Sequence, residues 1–300
     1  MHSTIMIFID GIGIGEADSV NNTFFKYNFK FLHEIFGGVP SLDNQYLSGK
    51  NKFLFPSDAC LGVEGLPQSG TGQTSIFAGI NAPKLAGLHH GPHPHTATLE
   101  QLRKKNIFRS FKEKNYSVIF ANAYPKIFFD YINSGKKRLS ATSLSCLMSG
   151  VKLKNATDLR RGNALSAEIN NFRWVKSLNY NLPIIKPETA AKRLFRLADQ
   201  NEFTLFEYFL TDHFGHGRNI EMMEDSLQVL DDFLFYMLKN IDDSYTLIIC
   251  SDHGNLEDLS VKSHTRNPAL TITAGKYAKR LSQEIKNISQ IKGVILDLYK

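Results

Sequence analysis

Short apolar runs, bounded by polar and glycine-bearing segments, punctuate the chain. Thr4–Ile9, Ser117–Ala121, Thr204–Leu210, Thr246–Cys250 and Ala269–Thr273 are largely apolar without a strict alternation. Runs of this kind predict strands buried on both faces, the habit of a parallel sheet. Between them lie stretches with helical spacing: Thr23–Phe36, Thr74–Ile80, Leu99–Lys114, Glu188–Asp199 and Glu221–Asn240. In the last of these, Met223, Leu227, Leu230, Leu234 and Leu238 recur three and four apart, as one face of a helix requires. Strand and helix alternate. The pattern predicts an α/β fold, a mainly parallel sheet sandwiched by helices.

The rhythm breaks between about residues 124 and 187, where NSGKKRLSATS and NATDLRRGN are polar, basic and turn-rich. This stretch reads as a small lid or cap inserted into a core made of residues 1–123 and 188–300. Within it Arg160 and Arg161, with Lys126 and Arg138, are candidates for gripping an anionic substrate. A charge run is more commonly a solvated face.

Composition narrows the picture. With 300 residues, 42% of them hydrophobic, the chain can bury a large core. A formal charge of +6 suits anionic ligands. The basic residues are scattered rather than gathered in a stripe, which argues against nucleic acid. The three cysteines are far apart and show no C-x-x-C spacing, so no disulfide framework is expected. The N-terminal run IMIFI is too short for a membrane span or a secretory signal. A cytoplasmic protein with no membrane partner is the expectation; oligomeric state is not legible.

Four segments at or near strand ends carry candidate chemistry. IMIFIDGIGIGE places Asp10 directly after a strand; its glycines lack the G-x-x-G step of a dinucleotide fingerprint. YFLTDHFGHGRN sets Asp212 and His216 four apart, a spacing that converges on one metal if the backbone is helical there. IICSDHGNLED pairs Asp252 with His253 before a permissive Gly254, and KSHTRNPAL offers His264. Three aspartates and three histidines at one sheet edge suffice for two metal ions, the usual device for displacement at phosphorus. A further stretch, LPQSGTGQTSIFAGINAPK, offers the hydroxyls of Ser69, Thr71, Thr74 and Ser75. It is no P-loop, having no lysine between Ser69 and Asn81. The histidines of GLHHGPHPHT (His89, His90, His93 and His95) read as a surface turn.

The ordered set D-G, T-D-x-x-G-H, S-D-H-G-N-x-E and H-T-x-N-P resembles the alkaline phosphatase superfamily. Within it the set is similar to cofactor-independent phosphoglycerate mutase and phosphopentomutase. The resemblance covers roughly the first 85 and the last 115 residues. It implies an alkaline-phosphatase-like core holding two divalent ions, zinc or manganese, with magnesium as a further option. One ion would take Asp212, His216 and His264. The other would take Asp10, Asp252, His253 and the oxygen of the nucleophile. The mutase pattern G-L-P-x-x-x-x-G-x-S overlays GLPQSGTGQT and puts Thr74 at the serine position, where phosphopentomutases also carry threonine. Thr74 is then expected at the N-terminus of the helix TSIFAGI, where exposed N–H groups favour a phosphoryl group. The pattern SEVGH would read SIFAG, losing its histidine. The implied activity is phosphomonoester hydrolysis of a small phosphorylated substrate through phosphothreonine. A phosphomutase, a phosphodiesterase and a non-catalytic phospho-ligand binder are the alternatives. The stretch available for a cap, within Ser75–Thr211, is shorter than in the mutases and tilts the reading towards hydrolysis.

Overall fold

The computed structural model describes residues 2–136 and 138–300. Its centre is a seven-stranded sheet: β1 (Ser3–Ile9), β2 (Leu47–Gly49), β3 (Lys52–Ser57), β4 (Val118–Phe120), β5 (Phe203–Tyr208), β6 (Tyr245–Cys250) and β7 (Ala269–Gly275). The strand order is β2-β3-β7-β6-β1-β5-β4. The strands β6, β1, β5 and β4 run parallel. β1 is buried along its whole length because both faces are covered. Ile5, Ile7 and Ile9 belong to one apolar cluster with the long helix Met223–Asn240. Met6 and Phe8 belong to the other, with Ile76 and Phe77 of the helix Ser69–Ala78.

The mainly parallel expectation holds, but the run Ala269–Thr273, read as a parallel strand, is corrected. β7 pairs antiparallel with both β6 and β3, and β2 pairs antiparallel with β3. A strand buried on both faces has the same composition in either direction, so hydropathy does not reveal its orientation. The reversal has a consequence for function. The start of β7 lies at the edge where β1, β5 and β6 end, so His264, shortly before β7, reaches that edge.

Two expected helices are broken. Leu99–Lys114 divides into Leu99–Lys105 and Ile107–Lys112, because Asn106 closes the first and caps the second, accepting from the Arg109 N–H. Thr23–Phe36 divides into Thr23–Lys26 and a π-helix, Phe31–Phe36. Among the described residues the segment 124–187 carries four short helices. Ala141, Cys146 and Leu153 enter the second core cluster, and Leu165 and Ile169 the first. Its first part, through Ser143, walls a cavity at the strand ends.

Candidate active site

Asp10 follows β1, Asp212 lies in the short helix Leu210–Gly215 after β5, and Asp252 and His253 follow β6. Three adjacent parallel strands thus deliver four candidate ligands to one edge, where α/β sheets bind ligands. Helical geometry at 210–215 turns Asp212 and His216 to the same side.

The donor atoms converge in two groups. In the first, His216 Nε2 lies 3.1 Å from His264 Nε2 and 3.4 Å from Asp212 Oδ1. His264 Nε2 lies 3.3 Å from the same oxygen. In the second, His253 Nε2 lies 3.3 Å from Asp10 Oδ1, 3.5 Å from Asp252 Oδ2 and 3.0 Å from Ser69 Oγ. A tetrahedral ion with bonds of about 2.0–2.1 Å holds its donors about 3.3 Å apart. Both groups match that spacing. By distance alone His253 also falls with Asp212 and His264, and its ring stacks on His264 at 3.7 Å. Its Nε2 faces Asp10 and Asp252, which assigns it to the second group.

Two further observations fit metal ions. Asp10 Oδ1 and Asp252 Oδ2, the oxygens facing His253, are buried without a hydrogen-bond partner. The histidines are also held as ligands usually are. Nδ1 of His264 is 2.6 Å from the Pro67 carbonyl and Nδ1 of His216 is 2.7 Å from the Lys262 carbonyl. Each Nδ1 faces a backbone carbonyl on the outer side, which turns Nε2 inward.

Electrostatics point the same way. Burial, then the charges of Asp252 and Asp212, push the Asp10 carboxyl well above its ordinary range. Burial and Asp212 raise Asp252 to about 7, while burial and the neighbouring His264 lower His253 to about 3. Burial also works to raise Asp212, but hydrogen bonding from His264 and the charge of His253 win and hold it below the ordinary range. Three carboxylates packed this closely call for cations.

The helix expected to begin at Thr74 begins at Ser69. The expected N-terminal position of Thr74 is corrected: it sits inside the helix, fully buried, and its hydroxyl donates to the Gly70 carbonyl at 2.6 Å. Ser69 occupies the first turn, and its Oγ touches His253. The Thr71 N–H donates to the His90 carbonyl and the Gly72 N–H to the Gln68 carbonyl. Glycine is required in this turn. A Cβ on Gly70 would lie 2.0 Å from the His93 carbonyl oxygen, and one on Gly72 2.9 Å from Asp252 Cβ. Overlaying SEVGH on SGTGQ from Ser69 keeps the S-x-x-G spacing. Gln73 then replaces the histidine, and its Nε2 donates to Asp10 Oδ2 at 3.2 Å.

A cavity of about 380 Å³ opens beside Ser69 and Asp10. Arg160 and Arg161 do not line it; Arg138 and Arg218 do. The histidine-rich turn is no mere surface feature, since it wraps the first turn of the Ser69–Ala78 helix and brings His93 into the cavity wall.

Residues 175–300 match the Metalloenzyme superfamily, a span that contains TDHFGH, SDHGN and SHTRNP. Over 102 residues the chain is 29% identical to 2,3-bisphosphoglycerate-independent phosphoglycerate mutase of Ehrlichia ruminantium (strain Gardel), covering 31% of this chain and 20% of that one. The match thus spans about a fifth of the length of the curated relatives. The fold is similar to that of the PH0037 protein from Pyrococcus horikoshii, at 12% identity and TM-score 0.58 over 99% of this chain and 96% of that one. Alkaline phosphatase from the Antarctic bacterium TAB5 gives 13% identity and TM-score 0.48 over 99% and 97%. No helix among the described residues is long and apolar enough to cross a membrane.

Proposed function

We propose that this protein is a two-metal phosphoryl-transfer enzyme that hydrolyses a small phosphomonoester, with Ser69 as nucleophile. The observation that carries the reading is Ser69 Oγ, 3.0 Å from His253 Nε2 at the open end of a helix and beside two orphaned carboxylate oxygens. Asp212, His216 and His264 would hold one divalent ion; Asp10, Asp252, His253 and Ser69 Oγ the other. Zinc and manganese both suit such nitrogen and oxygen donors. When bound, the ions supply charge neutralisation at the phosphoryl oxygens and a lowered pKa at the serine hydroxyl. The chain supplies position. The first turn of the Ser69–Ala78 helix presents its positive end to the phosphoryl group. Ser69 Oγ attacks phosphorus, the bond to the leaving oxygen breaks, and that oxygen takes up a proton. Water then cleaves the phosphoserine, releasing inorganic phosphate and regenerating the hydroxyl. The segment 124–187 acts as the cap over this site.

Likeness to a mutase favours a second reading, in which the phosphoryl group returns to another hydroxyl of the substrate. Product analysis separates the two: inorganic phosphate for a hydrolase, an isomeric phosphoester for a mutase. The nucleophile is tested by Ser69→Ala and Thr74→Ala. Ser69→Ala is expected to lower kcat more than about 10³-fold, and intact-mass analysis of wild type during turnover should show one added phosphoryl group. Survival of turnover in Ser69→Ala, or its loss in a folded Thr74→Ala, would return the role to another hydroxyl.

A further inference from the structure

Glu207 stands on the cavity floor, on the strand next to the one that carries Asp10. It is only 6% exposed. Its backbone is satisfied on both sides by Asn122, which accepts from the Glu207 N–H at 2.8 Å and donates to the Glu207 carbonyl at 2.7 Å. Asn122 thus spends its side-chain oxygen and one of its two amide hydrogens on that backbone, and it makes no hydrogen bond to the Glu207 carboxylate. Thr142 donates to Oε1 at 3.2 Å. Among the described residues Oε2 makes no hydrogen bond and no cationic side chain pairs with Glu207.

A carboxylate oxygen that faces a cavity with no protein donor is left to water or to a donor group that arrives there. The surroundings indicate what could. Ser143 exchanges a hydrogen bond with the Tyr124 hydroxyl at 2.9 Å, so the neighbouring wall is also hydroxyl-bearing. Both arginines of the cavity, Arg138 and Arg218, are exposed. The cavity is therefore cationic outside and acidic at its floor.

Resting on the phosphomonoesterase reading above, we infer that Glu207 is a specificity-determining residue. It accepts a hydrogen bond from a hydroxyl or amino group on the alcohol half of the substrate, and it excludes alcohol halves that place a second anion there. The substrate class is a phosphomonoester of a polyol or an amino alcohol, not of a hydroxy acid. A site built to receive a donor discriminates strongly because the wrong partner leaves a buried group unpaired.

Two matched pairs of compounds test this with the metal-loaded, full-length protein at about pH 8, where the floor carboxylate is ionised. Glycerol 3-phosphate and 3-phosphoglycerate differ by a hydroxymethyl group against a carboxylate; ethanolamine phosphate and ethyl phosphate differ by the amine. Wild type is expected to prefer the first member of each pair in kcat/KM, by about 100-fold and about tenfold respectively. Glu207→Gln should shrink the first ratio to within about tenfold, and the readout is the ratio rather than either rate. The wild-type ratios stand even if that variant fails to fold. Turnover of all four compounds without discrimination, or a preference for 3-phosphoglycerate, overturns the inference alone. No turnover of any phosphomonoester, p-nitrophenyl phosphate included, overturns the phosphomonoesterase reading and takes the inference down with it.

Discussion

The hydroxyls of Thr74 and Ser69 have different partners: one bonds within its own helix and the other faces His253. The Thr74 hydroxyl is spent inside its own helix on the Gly70 carbonyl. Thr74→Val keeps the shape and removes one buried hydrogen bond, so it should cost about 1 kcal/mol in denaturant unfolding while kcat stays within a few-fold of wild type. A large loss of kcat in that variant would mean that Thr74 acts in the chemistry. His216 makes the complementary case. Its Nδ1 is anchored on the Lys262 carbonyl and its Nε2 faces Asp212 and His264. His216→Ala should lower the bound metal from two ions per chain towards one, as elemental analysis would read, with little change in circular dichroism. Two ions still bound at full affinity would remove His216 from the ligand set.

At the scale of elements, three loops must stay in register, and Glu257 ties them. Its carboxylate accepts from the Gly13 N–H at 2.9 Å, the Asn255 N–H at 2.7 Å and Asn267 Nδ2 at 3.0 Å, and from the Thr265 hydroxyl. These partners belong to the loops that follow Asp10, follow His253 and follow His264. Glu257→Gln turns one acceptor oxygen into a donor facing donors. Metal affinity is expected to fall about 10–100-fold, measurable by competition with a chelator. Unchanged affinity would reduce Glu257 to a packing role. The Ser69–Ala78 helix shows why part of the site was hidden in the sequence. Its N-cap, Gln68, makes no side-chain capping bond, and glycines stand at its second and fourth positions. Those are marks of a loop by propensity, and they push the expected start to Thr74. Tertiary contact overrides them, because only glycine lets the first turn pass the His93 carbonyl and Asp252. Gly72→Ala should therefore damage activity more than stability, since its Cβ would press on a proposed metal ligand. The reverse order, in paired kcat and Tm measurements, would count against this account.

Across the whole molecule, what could be read in advance was whatever depends on composition at one position along a strand. β1, β5 and β6 and the aspartates after them were legible because both-face burial and a polar break are local signals. The direction of β7 and the existence of β2 and β3 were not. LSGKNKFLFPS is short, lies towards one end of the sheet and contains Pro56, so its pairing is decided by β7 rather than by its own pattern. Gathering the acidic residues at one edge also makes stability depend on pH and metal together. A carboxyl whose pKa rises on folding keeps its proton longer in the folded chain, so stability falls as pH climbs from the ordinary value to the folded one. For Asp252 that window runs from 3.8 to about 7, and for Glu207 from 4.5 to about 7, in both cases chiefly through burial. His253, lowered from 6.5 to about 3, acts oppositely and adds stability as pH rises through that interval. Two carboxyls outweigh one imidazole above 4.5, and beyond 6.5 the imidazole offsets nothing further. This edge should thus cost the chelator-stripped chain stability as pH climbs from about 5 to about 7, while the half-buried His2, lowered from 6.5 to about 4, works the other way up to 6.5. Divalent ions bind the deprotonated ligands and stabilise only the folded chain, so the rise in Tm on adding zinc or manganese should be larger at about pH 8 than at about pH 5. A rise that is equal at both values would show that the ions do not bind through Asp10, Asp252 and their neighbours.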